Sequence, residues 1–281
     1  MKKVLKTVAA AAAASLMLLA VSCNQTGPEP QKDVVKYELK GDVLSVRSVP
    51  YVVDSAGNET IEASMNNIYA EFNDFGMITL LQRFNKEGKM VSEEKSLYNE
   101  RGQILESQIV SADGATVEKT VYVYKRGRLA TMTVTDAQDS LKKHEVYKYY
   151  GKDSVKAVFS YKEGKTAGRR IMKYDENGFN TENVTYSDKN KVLSSFVLGY
   201  DEAGRNVSIE SENIFFGDLD SDMTYDENGF RSSLTMKGKQ AETVFTFKFR
   251  LDSLGNWIER ATYKNGSENP IRIERREIEY R

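Results

Sequence analysis

The chain has 281 residues, with 40 Lys and Arg against 41 Asp and Glu and a formal net charge of −1. The two signs are interspersed with no basic block, which argues against nucleic acid as a partner, since that needs a positive footprint. A lone cysteine excludes a disulfide framework, and a lone histidine, His144, excludes a histidine-based triad and a multi-histidine metal site.

Residues 1–22 read as a targeting segment. Lys2, Lys3 and Lys6 form a basic region, and Val8 to Val21 form an apolar run too short to span a membrane. The run closes on Leu19-Ala20-Val21-Ser22-Cys23, which resembles the lipobox of bacterial lipoproteins, with Ala20 where Leu is commoner. The resemblance implies cleavage before Cys23, lipidation of its thiol and anchoring to a membrane. An ordinary secretory leader with an incidental cysteine is the competing reading. Residues 23–34 then form the lipidated cysteine and a flexible tether, polar and carrying Gly27, Pro28 and Pro30. Asn24 stands where Asp favours inner-membrane retention in lipoproteins, so the resemblance implies the outer membrane. Its periplasmic face and the cell surface are both open.

Residues 35–281 read as one repeat domain. An aromatic residue or Leu, then Asp or Asn, two variable residues and Gly recur as Phe72 to Gly76, Tyr98 to Gly102, Tyr174 to Gly178, Tyr200 to Gly204, Tyr225 to Gly229 and Leu251 to Gly255. Gly127 and Gly151 fill the gaps in eroded form, and the eight glycines lie 24 to 27 residues apart. A fixed period of this size means a repeat architecture. The acid or amide bonds back to the backbone and Gly takes the positive φ, so each signature is a turn. A second set of turns lies midway, for example Phe84 to Gly88, Asp113-Gly114, Lys162 to Gly164, Phe216 to Asp218 and Asn265-Gly266. Each period therefore holds two strands of about 9 residues in an antiparallel meander.

Phe245, Phe247, Phe249 and Leu251 alternate with Val244, Thr246, Lys248 and Arg250, the period-2 pattern of a half-buried strand. Other segments are weakly amphipathic, such as Val91 to Tyr98 with Glu93, Glu94 and Lys95. No proline falls between Tyr51 and Asn269, which suits uninterrupted ladders. The expected fold is all-β: a meander of roughly sixteen to twenty strands, built as a curling single sheet or partly closed shell. A closed barrel or shell with an aromatic interior is the alternative. An outer-membrane barrel is disfavoured by charges such as Glu93, Lys148 and Arg250 on strand surfaces.

Chemistry is sparse. His144 reads as a strand-surface residue. Asp218, Asp220 and Asp222 have the spacing that opens a calcium loop, but Met223 stands where Gly is needed and Gly229 where Glu is needed, so a polar loop is the better reading. No motif asks for a cofactor or metal. Trp257, with Tyr147, Tyr149 and Tyr263, are the candidate ligand contacts, since flat rings stack on sugars; against this, aromatics favour strands in any case. Ser55, Ser140, Ser154 and Ser253 each follow Asp and precede an apolar residue. That form is similar to the O-glycosylation acceptor of one lineage of Gram-negative bacteria.

The turn motif and its period resemble the YD-repeat, or RHS-like, family of secreted and cell-surface proteins. Leu39 to Val46, Asp252 to Arg260 and Ile273 to Tyr280 fit a short lipoprotein branch of it. The resemblance implies a β-meander and an extracytoplasmic, non-catalytic role. The expected function is a lipid-anchored envelope protein that binds a glycan, peptide or partner protein, or acts as a scaffold. A polysaccharide-active hydrolase or lyase on the same scaffold is the alternative. The repeats' common residues serve turns, so specificity is expected in what the repeats do not share.

Overall fold

The computed structural model describes residues 32–62, 66–151, 155–162, 165–214, 217–238 and 241–281. The leader, Cys23, the tether up to residue 31, Ser154, Glu163, Gly164 and Phe216 lie outside the described residues. One helical turn, α1 (Asp33–Lys36), precedes nineteen strands. These are β1 (Val43–Val53), β2 (Glu59–Ile61), β3 (Ile68–Phe72), β4 (Ile78–Phe84), β5 (Met90–Tyr98), β6 (Ile104–Ser111), β7 (Thr116–Lys125), β8 (Arg128–Asp136), β9 (Leu141–Tyr150) and β10 (Val155–Lys162). They continue as β11 (Lys165–Tyr174), β12 (Asn180–Ser187), β13 (Val192–Tyr200), β14 (Asn206–Asn213), β15 (Leu219–Tyr225), β16 (Arg231–Gly238), β17 (Glu242–Leu251), β18 (Trp257–Lys264) and β19 (Arg272–Tyr280).

The turns form by the chemistry expected of them. Asp201 Oδ1 accepts from the backbone N–H groups of Ala203 (3.0 Å) and Arg205 (2.8 Å). Asp175, Asp226, Asp252, Asn73 and Asn99 each accept the same pair of bonds from the residues two and four positions on. All eight spaced glycines have positive φ. The eroded repeat at Gly127 has its own reason. Lys125 pairs with Arg128, and both Arg126 and Gly127 have positive φ, which makes a two-residue hairpin loop that needs no preceding Asp.

The tyrosine of the signature does a further job. Tyr98, Tyr149, Tyr200 and Tyr225 each donate their hydroxyl to a backbone carbonyl 19 or 20 residues upstream, on Ile78, Leu129, Asn180 and Asn206 respectively. Each acceptor is the first or second residue of the strand that pairs with the tyrosine's own strand. The hydroxyl thus ties the end of one strand to the start of its neighbour, where the ladder runs out.

The meander closes completely. Each strand from β3 onward pairs antiparallel with the next, and β1 pairs with both β3 and β19. The result is an 18-strand ring, to which short β2 adds a flap paired with the far end of β1. The expected all-β meander is present, and the expectation of a curling sheet or partly closed shell is only approximately right: the ring is closed, which was the alternative. The seam that decides it runs from Val43 opposite Tyr280 to Val52 opposite Arg272. It is fastened by Ser48 donating to Glu274 (2.7 Å) and Ser45 donating to Glu279 (2.8 Å). Closure removes both sheet edges.

Alternation sorts the side chains into an inner and an outer face. The less exposed face carries Val46, Ser48, Ala70, Phe72, Ser96, Ser107, Thr120, Val134, Glu145, Val158, Met172, Met223 and Glu274, all buried. Residues 32–42 pack on this inner face, and Leu39, Val43, Val46, Ala70 and Phe72 form the apolar core, with Val34 and Tyr37 against it. Val34 N–H donates to the Gly76 carbonyl (3.0 Å), so the last residues assigned to the tether are seated on the barrel. At ~4.8 Å spacing and ~40° tilt, a circular ring of this size is roughly 35 Å across between backbones, wide enough for a wet lumen.

Candidate functional site

The inner face of β16 to β19, together with β1, β3 and α1, lines a half-open chamber of about 300 Å³. Its wall includes Tyr37, Glu38, Arg231, Phe249, Arg260 and Arg276. Strand alternation builds it. Phe247 and Phe249 face inward from β17, opposite Thr262 and Arg260 of β18, and Arg260 in turn lies opposite Glu274 of β19.

Trp257 lies behind this wall, against its arginines. It is 0% exposed, its indole N–H donates to Glu38 (2.8 Å), and the guanidinium carbons of Arg276 and Arg260 lie 3.3 Å and 4.9 Å from its ring centroid. Next to it Asn256 exchanges two hydrogen bonds with the backbone of Lys40, at 2.6 and 2.9 Å, and donates to the Tyr280 hydroxyl (2.7 Å). Tyr280 also bonds Asp252 of the last repeat turn. The closing repeat therefore holds down the N-terminal segment that roofs the chamber.

The chamber's charges are unevenly matched. Glu274 accepts from Ser48 and from Arg260, both at 2.7 Å. Burial would raise its pKa, but Arg260, the Ser48 hydroxyl and Arg276 outweigh burial and hold it below the usual carboxylate value. Arg231 and Arg276 have no carboxylate in ion-pair contact among the described residues. Arg276 bonds only the Tyr37 carbonyl (2.8 Å), and the Nε of each arginine is buried without a hydrogen-bond partner. Burial pushes Arg276 down to about 10, against the pull of Glu274.

A second inner cluster sits on β9 to β11. Glu145 is buried, paired with Lys143 (2.8 Å), and accepts from the Tyr147 hydroxyl (2.7 Å). Burial and the neighbouring Glu145 both push the Tyr147 pKa up, and burial pushes Lys156 down with help from Arg170.

These placements revise the sequence candidates. Trp257 offers no free face for stacking, because the N-terminal segment covers it. Tyr147 and Tyr149 line the lumen on β9, whereas Tyr263 lies on the outer face beneath Lys248, whose amine is 4.8 Å from its ring. The four do not form one surface. Ser55, Ser140 and Ser253 are exposed at turns. His144 lies on the outer face, with Nδ1 3.0 Å from the Thr133 hydroxyl. Asp220 and Asp222 belong to strand β15 and not to a loop, and Asp222 is paired with Lys237 (2.6 Å). No group of three or more metal-ligating side chains occurs among the described residues.

The sequence reading missed Arg231, Arg276 and Glu274. Their signal was present in Arg272, Glu274 and Arg276, three charges at period 2 on one strand face where a core-facing strand would be apolar.

The fold and site define a closed antiparallel β-barrel with a polar lumen and a cationic chamber at one end. No protein-family model matches the chain, and no curated protein matches it. Among solved structures it is similar to a porin-like protein from Bacteroides uniformis, at 13% identity and a TM-score of 0.44, over 84% of this chain and 98% of that one. A porin-like protein from Bacteroides vulgatus aligns at 12% identity and a TM-score of 0.37, over 85% and 99% of the two chains. The Photorhabdus luminescens Tc holotoxin pore aligns at 12% identity and a TM-score of 0.33, with 81% of this chain spanning 15% of that one.

Proposed function

We propose that this chain is a lipid-anchored protein of the outer membrane whose barrel stands in water and serves a non-catalytic binding role. The observation that carries the reading is the contrast between the two faces. Outward positions carry Glu93 with Lys95 (2.8 Å) and Glu106 with Lys119 (2.9 Å) inside the strands, and Lys173 with Glu182 (2.7 Å) and Arg250 with Glu259 (3.5 Å) nearer their ends. A cationic residue facing lipid at the bilayer midplane costs about 2–4 kcal/mol, so this outer face suits water. The lumen meanwhile offers a chamber in which Arg231 and Arg276 have no carboxylate in ion-pair contact among the described residues. Membrane attachment then falls to Cys23, and the repeat turns support membership of the YD-repeat family as a short branch.

Ser55, Ser140 and Ser253 are reachable by a glycosyltransferase, in keeping with an extracytoplasmic location, and Ser154 has the same motif. The test has two parts. Palmitate labelling of cells should mark the wild-type chain and not Cys23→Ser; labelling that survives the substitution refutes the anchor. A pull-down with the purified protein against envelope glycans and proteins should retain a ligand without converting it. Turnover of a polysaccharide, lost on one Asp or Glu substitution, would refute the binding role in favour of an enzyme.

A further inference from the structure

Buried charges in proteins are ordinarily paired, because desolvating an ion costs more than packing returns. Arg260 obeys this through Glu274. Arg276 and Arg231 are half-buried, with the Nε of each out of solvent; neither has a carboxylate in ion-pair contact among the described residues, and both line the same chamber. The Trp257 ring offsets part of the cost at Arg276, since the negative face of an indole attracts a guanidinium lying over it. Among the described residues Arg231 has no ring, no carboxylate in ion-pair contact and no acceptor for its Nε. Glu38, the other chamber carboxylate, accepts from the Trp257 indole.

The chamber also has an apolar side. Phe247, Phe249 and Ile68 line it along with the guanidinium groups. Its 300 Å³ lies at the small end of the range for ligand sites, which is about 300–1,000 Å³. That volume seats one small molecule or one terminal residue of a larger one, and not a polymer running through.

We infer that the chamber binds a small organic carboxylate with a ring body, its carboxylate bridging Arg231 and Arg276 and its ring lying against Phe247 and Phe249. The planar guanidinium fork matches a carboxylate in two parallel bonds, which a lysine ammonium cannot do. This inference rests on the binding role proposed above and supplies its ligand class.

Trp257 is the only tryptophan and lies directly under Arg276, so its emission reports on the site. Purified full-length protein is titrated with benzoate and glucuronate, and with benzyl alcohol and glucose as their uncharged counterparts. A saturable change is expected for at least one carboxylate and for neither counterpart. In Arg231→Gln, binding should weaken roughly 10-fold or more, the loss of one charge-assisted hydrogen-bonding group, and Arg231→Lys should recover part of it. Circular dichroism melting checks that each variant is folded, and should Arg231→Gln fail to fold, Arg231→Lys carries the comparison. Equal response to a carboxylate and its counterpart, no saturable response to either carboxylate, or unchanged affinity in both Arg231 variants overturns the inference. A glycan or protein retained in the pull-down despite that outcome would leave the binding role standing and remove only this ligand class.

Discussion

Replacing Gly178 and Gly204 by alanine separates the conformational from the steric demand of the repeat turn. Both glycines have positive φ, +84° and +76°. A Cβ at position 178 would meet nothing within 4 Å. Gly178→Ala should therefore cost only the left-handed penalty of an L-residue, about 1–2 kcal/mol. At position 204 the same Cβ would stand 2.5 Å from Cζ and 2.9 Å from Cε1 of Phe179. Phe179 stacks on Tyr200 with centroids 5.0 Å apart, so it cannot swing away without breaking that pair. Displacing the stack adds about 0.5–1.5 kcal/mol and local overpacking about 1–3 kcal/mol, which with the left-handed penalty gives about 2.5–6.5 kcal/mol in all. Urea unfolding followed by circular dichroism should place the midpoint of Gly204→Ala well below that of Gly178→Ala, with both below wild type. Adding Phe179→Ala to Gly204→Ala should narrow the gap. Equal midpoints for the two single variants would refute the steric argument, and a wild-type midpoint for Gly178→Ala would refute the conformational one.

Tyr200→Phe deletes the hydroxyl that donates to the Asn180 carbonyl (2.9 Å) and should lower stability by about 0.5–1.5 kcal/mol, whereas Tyr263→Phe on the outer face should change it little. Urea midpoints distinguish the two. Trp257→Phe removes the bond to Glu38 and should release the roof, so limited trypsin digestion should cut at Lys36 or Lys40 while the barrel stays protected; wild-type resistance would contradict the role given to Trp257. Alkali should destabilise the fold. Burial raises the pKa of Tyr98, Tyr122, Tyr147 and Tyr174, and takes Tyr124 to about 12, so the folded chain keeps protons that the unfolded chain releases near 10.0. The tyrosines' contribution is complete below pH 10 and is lost as pH rises through the folded values, so a urea midpoint unchanged between pH 8 and 11 would be contrary evidence. At the acid end Glu274 is held below its ordinary 4.5, so its contribution is present above that pH and lost as pH falls through the folded value; Glu274→Gln should flatten the acid limb of the stability profile.

Local chemistry was legible because it depends on near neighbours. The period of the turns, their Asp and Gly roles, and the strand count follow from contacts within a few residues. The tyrosine ties were half legible: the sequence showed that an aromatic recurs, but a bond to a carbonyl 19 or 20 residues back needs the register of the hairpin. Trp257 misled for a related reason. Its composition marks it as unusual, yet whether a ring is bare or covered depends on residues 219 positions away, as its bond to Glu38 shows.

By itself the sequence determined that this protein is a long β-meander with turns at fixed spacing, and which side chains close each turn. Only the tertiary structure decided that the meander shuts into a ring, since that rests on β1 meeting β19 across the whole length of the domain. Closure gives each strand an inside and an outside. It thereby turns the weak amphipathicity of the sequence, charges on both faces of one strand, into two different surfaces: paired charges facing solvent, and a lumen where, among the described residues, Arg231 and Arg276 meet no carboxylate in ion-pair contact.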